Sequence, residues 1–204
     1  MKHPVTRFKS LKAGLKELEP FIHNGAHLRT GKPFKRFGGM RSREVLANWL
    51  ICAVNNAEHG AERLTFTSDP LGGDGIIYDT ETENTWPTEH VMVPPAREET
   101  SSIKARILKA VERKQEKGGA AYASGKTLIV FLEGGGEVPW LPNHVARALP
   151  KTDFDDVWLV GLQGVEDGAY VYGVTQLDAT EGNAPTWSVR ISPHFETWDV
   201  KRLQ

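Results

Sequence analysis

The chain has 204 residues, 39% hydrophobic and 25% charged, which is ordinary for a soluble globular protein and enough for one domain to bury a full core. A single cysteine, Cys52 in the apolar stretch ANWLICAV, excludes an internal disulfide framework and a cysteine-based zinc cluster, and it suits a reducing compartment. No stretch approaches the roughly 18 uninterrupted apolar residues of a membrane span, and MKHPVTRFKSLKAG lacks the apolar centre of a signal peptide, so a cytoplasmic protein without a membrane partner is expected.

The formal net charge of −1 hides an asymmetry. Residues 1–43 hold eleven Lys or Arg against two acids, a balance of +9, while the rest of the chain stands at −10. The excess peaks in RTGKPFKRFGGMRSR, where Arg29, Lys32, Lys35, Arg36, Arg41 and Arg43 stand with Phe34 and Phe37 and no acid. A basic, glycine-rich segment with interleaved aromatics can lie along the phosphate backbone of DNA or RNA. The plainer reading is a solvated loop leaning on its own acidic domain.

In chain order, SLKAGLKELEPFI predicts a short helix stopped by Pro20. The stretch SREVLANWLICAVNNAEHG predicts a long helix, with Ser42 as N-cap, apolar residues at helical spacing, His59 as a C-terminal cation and Gly60 as the stop. LTFTSD, GDGIIYDT and TEHVMV read as three strands. SSIKARILKAVERKQEKGG is the clearest helix, capped by Ser101 or Ser102, with Ile103, Ile107 and Val111 as its stripe and cations in its last turns. TLIVFL is apolar throughout, the pattern of a central strand covered on both faces. LPNHVARAL predicts a short helix, and VWLVGL, AYVYGV and TWSVRI predict further strands. The expected fold is a single mixed α/β domain over 1–204, with a mixed central sheet flanked by helices. Within it lie a basic arm (1–41), a core of helix, three strands, helix and strand (42–132) and C-terminal strands with a short helix (133–204) that complete the sheet.

Two features imitate better-known sites. AAYASGKT, residues 120–127, satisfies the relaxed Walker A spacing, yet a helix precedes it and a strand follows, the inverse of a phosphate loop. A turn into the central strand explains Gly125 and Lys126 more simply. His23 and His27 have the i, i+4 spacing that can share a metal on a helix, but Asn24 and Gly25 are poor helix formers and no third ligand is adjacent.

The chemistry concentrates in GGDGIIYDTETENTWPTEHVMV, residues 72–93. If the second and third strands pair as a hairpin, Asp74 and Glu89 come to the same end of the ladder. Two carboxylates there can hold Mg²⁺ (or Mn²⁺), a hard cation that keeps several waters; such a metal activates water and offsets charge on a scissile phosphate. Ordinary strand-edge polarity is the competing explanation, and Asp69 before Pro70 competes for the role of the aspartate.

With those residues and that element order, residues 42–132 resemble the PD-(D/E)XK nuclease superfamily, the restriction-endonuclease-like fold. The resemblance implies a metal-dependent nuclease with Asp74 and Glu89 as metal ligands and Glu44 in the first helix assisting. Its usual lysine would stand at position 91, where this chain has Val91. In some members of the superfamily the lysine has moved to the following helix, and Lys114 fits: eleven residues after Ile103, at ~100° per residue, it falls near the same helix face. His90 is the second candidate for handling the water, although strand alternation points Glu89 and His90 to opposite faces. The alternative function is a non-catalytic module of the same shape that binds nucleic acid or a protein partner; WLVGLQ and AYVYGV offer an edge strand for such a partner or a second copy. A small-molecule enzyme has only Gly134, Gly135 and Gly136 in its favour.

Overall fold

The computed structural model describes residues 10–24, 33–95, 101–133 and 140–204. Helix α1, Leu11–His23, begins at Ser10, whose hydroxyl accepts the Ala13 N–H at 3.2 Å. Leu11, Leu15, Leu18 and Ile22 form its buried face. The helix runs through Pro20 instead of stopping there. A proline in the last turn removes only one intrahelical donor, and burial of Ile22 lies beyond it. A short 3₁₀ turn, Lys35–Phe37, leads to α2, Ser42–His59. The cap of α2 is Arg41 and not Ser42: Glu44 reaches back to the Arg41 N–H at 2.8 Å, so the acid satisfies the free backbone group that a serine cap would leave. Gly60, at φ 63°, closes α2 in the left-handed conformation.

Strands β1 (Leu64–Thr67), β2 (Gly75–Asp79) and β3 (Thr85–Val93) form an antiparallel meander. The crossover through α3 (Ile103–Glu116) and α4 (Gly119–Ala123) then brings β4 (Thr127–Leu132) parallel to β3. Ser102 caps α3 by accepting the Ala105 N–H. After α5 (Pro142–Ala146), β5 (Asp156–Glu166) lies parallel to β4. The antiparallel strands β6 (Ala169–Leu177), β7 (Thr186–Ile191) and β8 (Trp198–Arg202) finish the chain. The result is a single mixed α/β domain: one curled eight-stranded sheet in the order β1 to β8, with five helices among the described residues.

Each face of the sheet has its own core, and β4 shows how one strand serves both. Ile129 and Phe131 point to α1 and α2, among Trp49, Leu50, Trp158 and Val189, whereas Leu128 and Val130 point to α3 and α5, among Ile107, Val111 and Val145. The uninterrupted apolar run of β4 follows from that double burial. No described helix is long and apolar enough to cross a membrane.

Candidate active site where strand β2 begins

The antiparallel register pairs Gly75 with Thr88, so Asp74 stands opposite Glu89 one step beyond the paired ladder. The Asp74 N–H still donates to the Thr88 carbonyl at 3.2 Å, but β2 supplies no further backbone to β3. The next β3 residue facing that side is His90, and its peptide is capped by side chains. Its N–H donates to Asp74 Oδ2 at 2.7 Å, and its carbonyl accepts from Lys114 Nζ at 2.9 Å. A carboxylate and an ammonium thus replace the missing strand, which satisfies both backbone groups of a buried residue.

Gly75 makes this close approach feasible. Its φ is 154°, and a Cβ there would lie 2.6 Å from Asn48 Nδ2 and 3.0 Å from Thr88 Oγ1. Asn48, fully buried on α2, donates to the Glu44 carbonyl and accepts from the Thr88 hydroxyl, which fixes the helix against β3.

Glu89 faces α3, as alternation along β3 requires. One carboxylate oxygen accepts from the Tyr122 hydroxyl and lies 3.1 Å from Lys114 Nζ; the other accepts from Lys126 Nζ at 2.9 Å. Burial pushes the Glu89 carboxyl up, but the Tyr122, Lys126 and Lys114 hydrogen bonds together hold it below the ordinary carboxylate value. Tyr122 is shifted above its ordinary value by burial and by Glu89, so it remains a protonated donor. Lys114 lies 3.7 Å from Asp74 Oδ2 and so links the two acids from the following helix. Asp69 is engaged elsewhere: its carboxylate accepts the Leu71 and Gly73 N–H groups and shapes the turn before β2.

The His90 ring points to the opposite face from Glu89. It is buried, and neither ring nitrogen has a hydrogen-bond partner among the described residues. Burial, reinforced by Lys114, brings its pKa down to about 3, so the ring is neutral at physiological pH and a weak base; Nδ1 lies 3.9 Å from Asp74 Oδ2. Glu44 is buried at the start of α2, where Arg41 engages both of its oxygens. Burial raises its pKa, and the neighbouring Asp74 charge adds to the shift. Arg43 is half-buried beside the same acids: burial and Arg41 lower its pKa, against the opposing pull of Glu44, Asp74 and Glu133.

The fold therefore brings together Asp74, Glu89, Lys114 and the His90 peptide, with Glu44 and Arg43 alongside. Lys35 and Arg36 are exposed on the 3₁₀ turn, and Arg41 pairs with Glu44. Arg29, Lys32, His27 and Gly134 to Gly136 lie outside the described residues; His23 meets the Tyr170 hydroxyl and Glu19. Lys126 and Tyr122 escaped the sequence reading. Lys126 precedes Leu128 by two residues, and Leu128 is the parallel partner of Glu89, so a known β3–β4 register would have placed it on the Glu89 side.

Among the described residues no group of three or more His, Cys, Asp or Glu side chains is arranged to hold a metal ion. The Asp74 and Glu89 carboxylates both meet the Lys114 ammonium, and a hard cation that keeps most of its waters would need no more than such a pair. Comparison of the chain with protein-family models, curated proteins and solved structures gave no match in any of the three.

Proposed function

We propose that the protein is a metal-dependent nuclease of the PD-(D/E)XK type, in which Asp74 and Glu89 hold Mg²⁺ or Mn²⁺ and Lys114 takes the part of the lysine absent at position 91. The observation that carries this reading is the Lys114 ammonium, 3.1 Å from Glu89 and 3.7 Å from Asp74 although it comes from α3. The order helix, three strands, helix, strand and the placing of α2 and α3 on opposite sheet faces support the same reading. A bound divalent ion would supply an activated water and offset charge on the scissile phosphate. The Lys114 N–H groups are donors for charge developing on non-bridging phosphate oxygens. Lys126 and Tyr122 keep Glu89 ionised and fix its rotamer. Arg43, whose charge interacts with that of Asp74, would meet an incoming phosphate.

The test is cleavage of plasmid DNA and of RNA with Mg²⁺ or Mn²⁺, alongside calorimetric metal titration. Asp74→Asn and Lys114→Met are expected to reduce cleavage by roughly a hundredfold or more while leaving the fold intact. Full cleavage by Asp74→Asn would refute the site.

A second reading has its own observation. Both Glu89 oxygens are already engaged by Tyr122, Lys114 and Lys126, a closed arrangement that suits a non-catalytic module binding nucleic acid or a protein partner. Nucleic-acid affinity that falls steeply with salt, without cleavage or metal uptake, would select it.

A further inference from the structure

The motif that imitates a phosphate loop turns out to carry positive charge to the acidic site. Within residues 120–127, α4 contributes Tyr122, and the turn after it, with Gly125 at φ 77°, presents Lys126 just before β4. Three ammonium groups surround the Tyr122 ring: Lys126 Nζ at 4.3 Å from its centroid, Lys117 at 5.7 Å and Lys114 at 5.8 Å. Among the described residues, the carboxylates within 4.0 Å of these ammoniums are Glu89, shared by Lys114 and Lys126, and Asp74, next to Lys114. Lys117 is exposed and, among the described residues, meets the ring and no carboxylate.

Like charges gathered this closely repel one another, and the ring faces attract but do not neutralise them. The imbalance grows if Asp74 and Glu89 turn to a divalent cation, because Lys114 and Lys126 then lose their share of carboxylate charge. What completes such a cluster is an anion with several acceptor oxygens, and lysine is a point-charge binder of phosphate. With Lys117, Gly118 and Ala120 all exposed, the surface is too open to enclose a small ion. A polyanion, held at several points at once, has no need of enclosure.

We propose that Lys114, Lys117 and Lys126, assembled around Tyr122, seat a backbone phosphate of a nucleic-acid strand beside the one at Asp74 and Glu89. This rests on the nuclease reading of that site and deepens it. The seat reads charge and not sequence. Tyr122 is covered by ammonium groups, so it is not a stacking platform for bases, and ammonium–phosphate contacts carry no base information.

The experiment measures binding of a labelled single-stranded oligonucleotide to the full chain by fluorescence anisotropy, in EDTA and in Ca²⁺, across a salt series. The proteins are wild type, Lys117→Glu and, as a charge-matched control on the far edge strand β8, Lys201→Glu. Lys117→Glu is expected to weaken binding roughly tenfold at low salt and to reduce the log–log salt slope by about one, with Lys201→Glu close to wild type and all three equally resistant to heat. Wild-type binding and cleavage with Lys117→Glu matching the control would overturn the seat and leave the nuclease reading standing. No binding and no cleavage by the wild type would overturn both. Inorganic phosphate serves as competitor against chloride of equal ionic strength. Displacement by phosphate in wild type but not in Lys117→Glu would assign the seat to small phosphates and overturn the strand assignment; equal displacement by both salts is the expected result.

Discussion

Glu89 is the residue on which the site depends, because one buried carboxylate holds a tyrosine hydroxyl and two ammonium groups. Removing it leaves those donors without their acceptor, which is costlier than the net worth of the pairs themselves. Lys126 is about a quarter exposed and can turn to water, which trims the loss. Glu89→Ala is accordingly expected to lower the unfolding free energy by about 2–3 kcal/mol. Tyr122→Phe, which removes one donor and keeps the ring beneath the lysines, costs about 1 kcal/mol. Urea titrations of both variants check the order. A Tyr122→Phe loss equal to that of Glu89→Ala would mean that the tyrosine hydroxyl, and not the two ammonium pairs, carries the stabilisation that Glu89 provides.

At the scale of elements, the junction of α2 with β2 and β3 fixes where Asp74 stands. Gly75→Ala would drive a methyl group into the Asn48 amide and the Thr88 hydroxyl at a backbone angle that L side chains rarely adopt. A loss of about 2–4 kcal/mol is expected. Any cleavage should fall with it, since Asp74 is the neighbouring residue; unchanged stability and activity would show that β2 shifts freely against α2. This junction explains what could be read from the sequence. The hairpin parity of β2 and β3 puts Asp74 and Glu89 at one end, and the angular spacing of α3 aims Lys114 inward, so both were legible from local periods. Lys126 and Tyr122 were not, because their place depends on the β3–β4 register, a long-range pairing with no local signature. Pro20 misled for the opposite reason: it breaks a local rule that burial of Ile22 overrides. Nor was the edge strand β8 read from the sequence, where WDVKR offers only two apolar residues.

For the whole molecule, His90, Asp79 and Glu89 weaken the fold in acid, against the opposite contribution of Glu44 and Asp156, whose carboxyls burial raises. His90 has a folded pKa of about 3, well below the ~6.5 of an unfolded histidine, so between those values the unfolded chain binds the extra proton and stability falls as pH falls. The slope over that window is about 1.4 kcal/mol per pH unit. Asp79 behaves as a held carboxylate: burial raises it, but the Glu81 and Thr82 groups and Arg63 outweigh that and bring it to about 2. Glu89 is depressed as well. Their stabilisation is full above the unfolded carboxylate values near 4 and is lost as pH drops through the folded ones. Urea midpoints are therefore expected to be flat above pH 7, to decline from about 6.5 and to decline more steeply below about 4. His90→Leu should flatten the upper limb alone; an unchanged upper limb would assign it to other groups.

The spatial order of the strands repeats their order along the chain, from β1 to β8. No strand is inserted between two earlier ones, so the sheet can grow from one margin as the polypeptide leaves the ribosome, each new strand docking on the last. Until β8 is made, that growing margin displays unpaired backbone, and a chain interrupted after β5 would present Leu159 and Val160 to whatever strand it met first. Synthesis that stalls there would favour clumping of nascent chains, whereas β8 turns outward a margin bearing Asp199, Lys201 and Arg202.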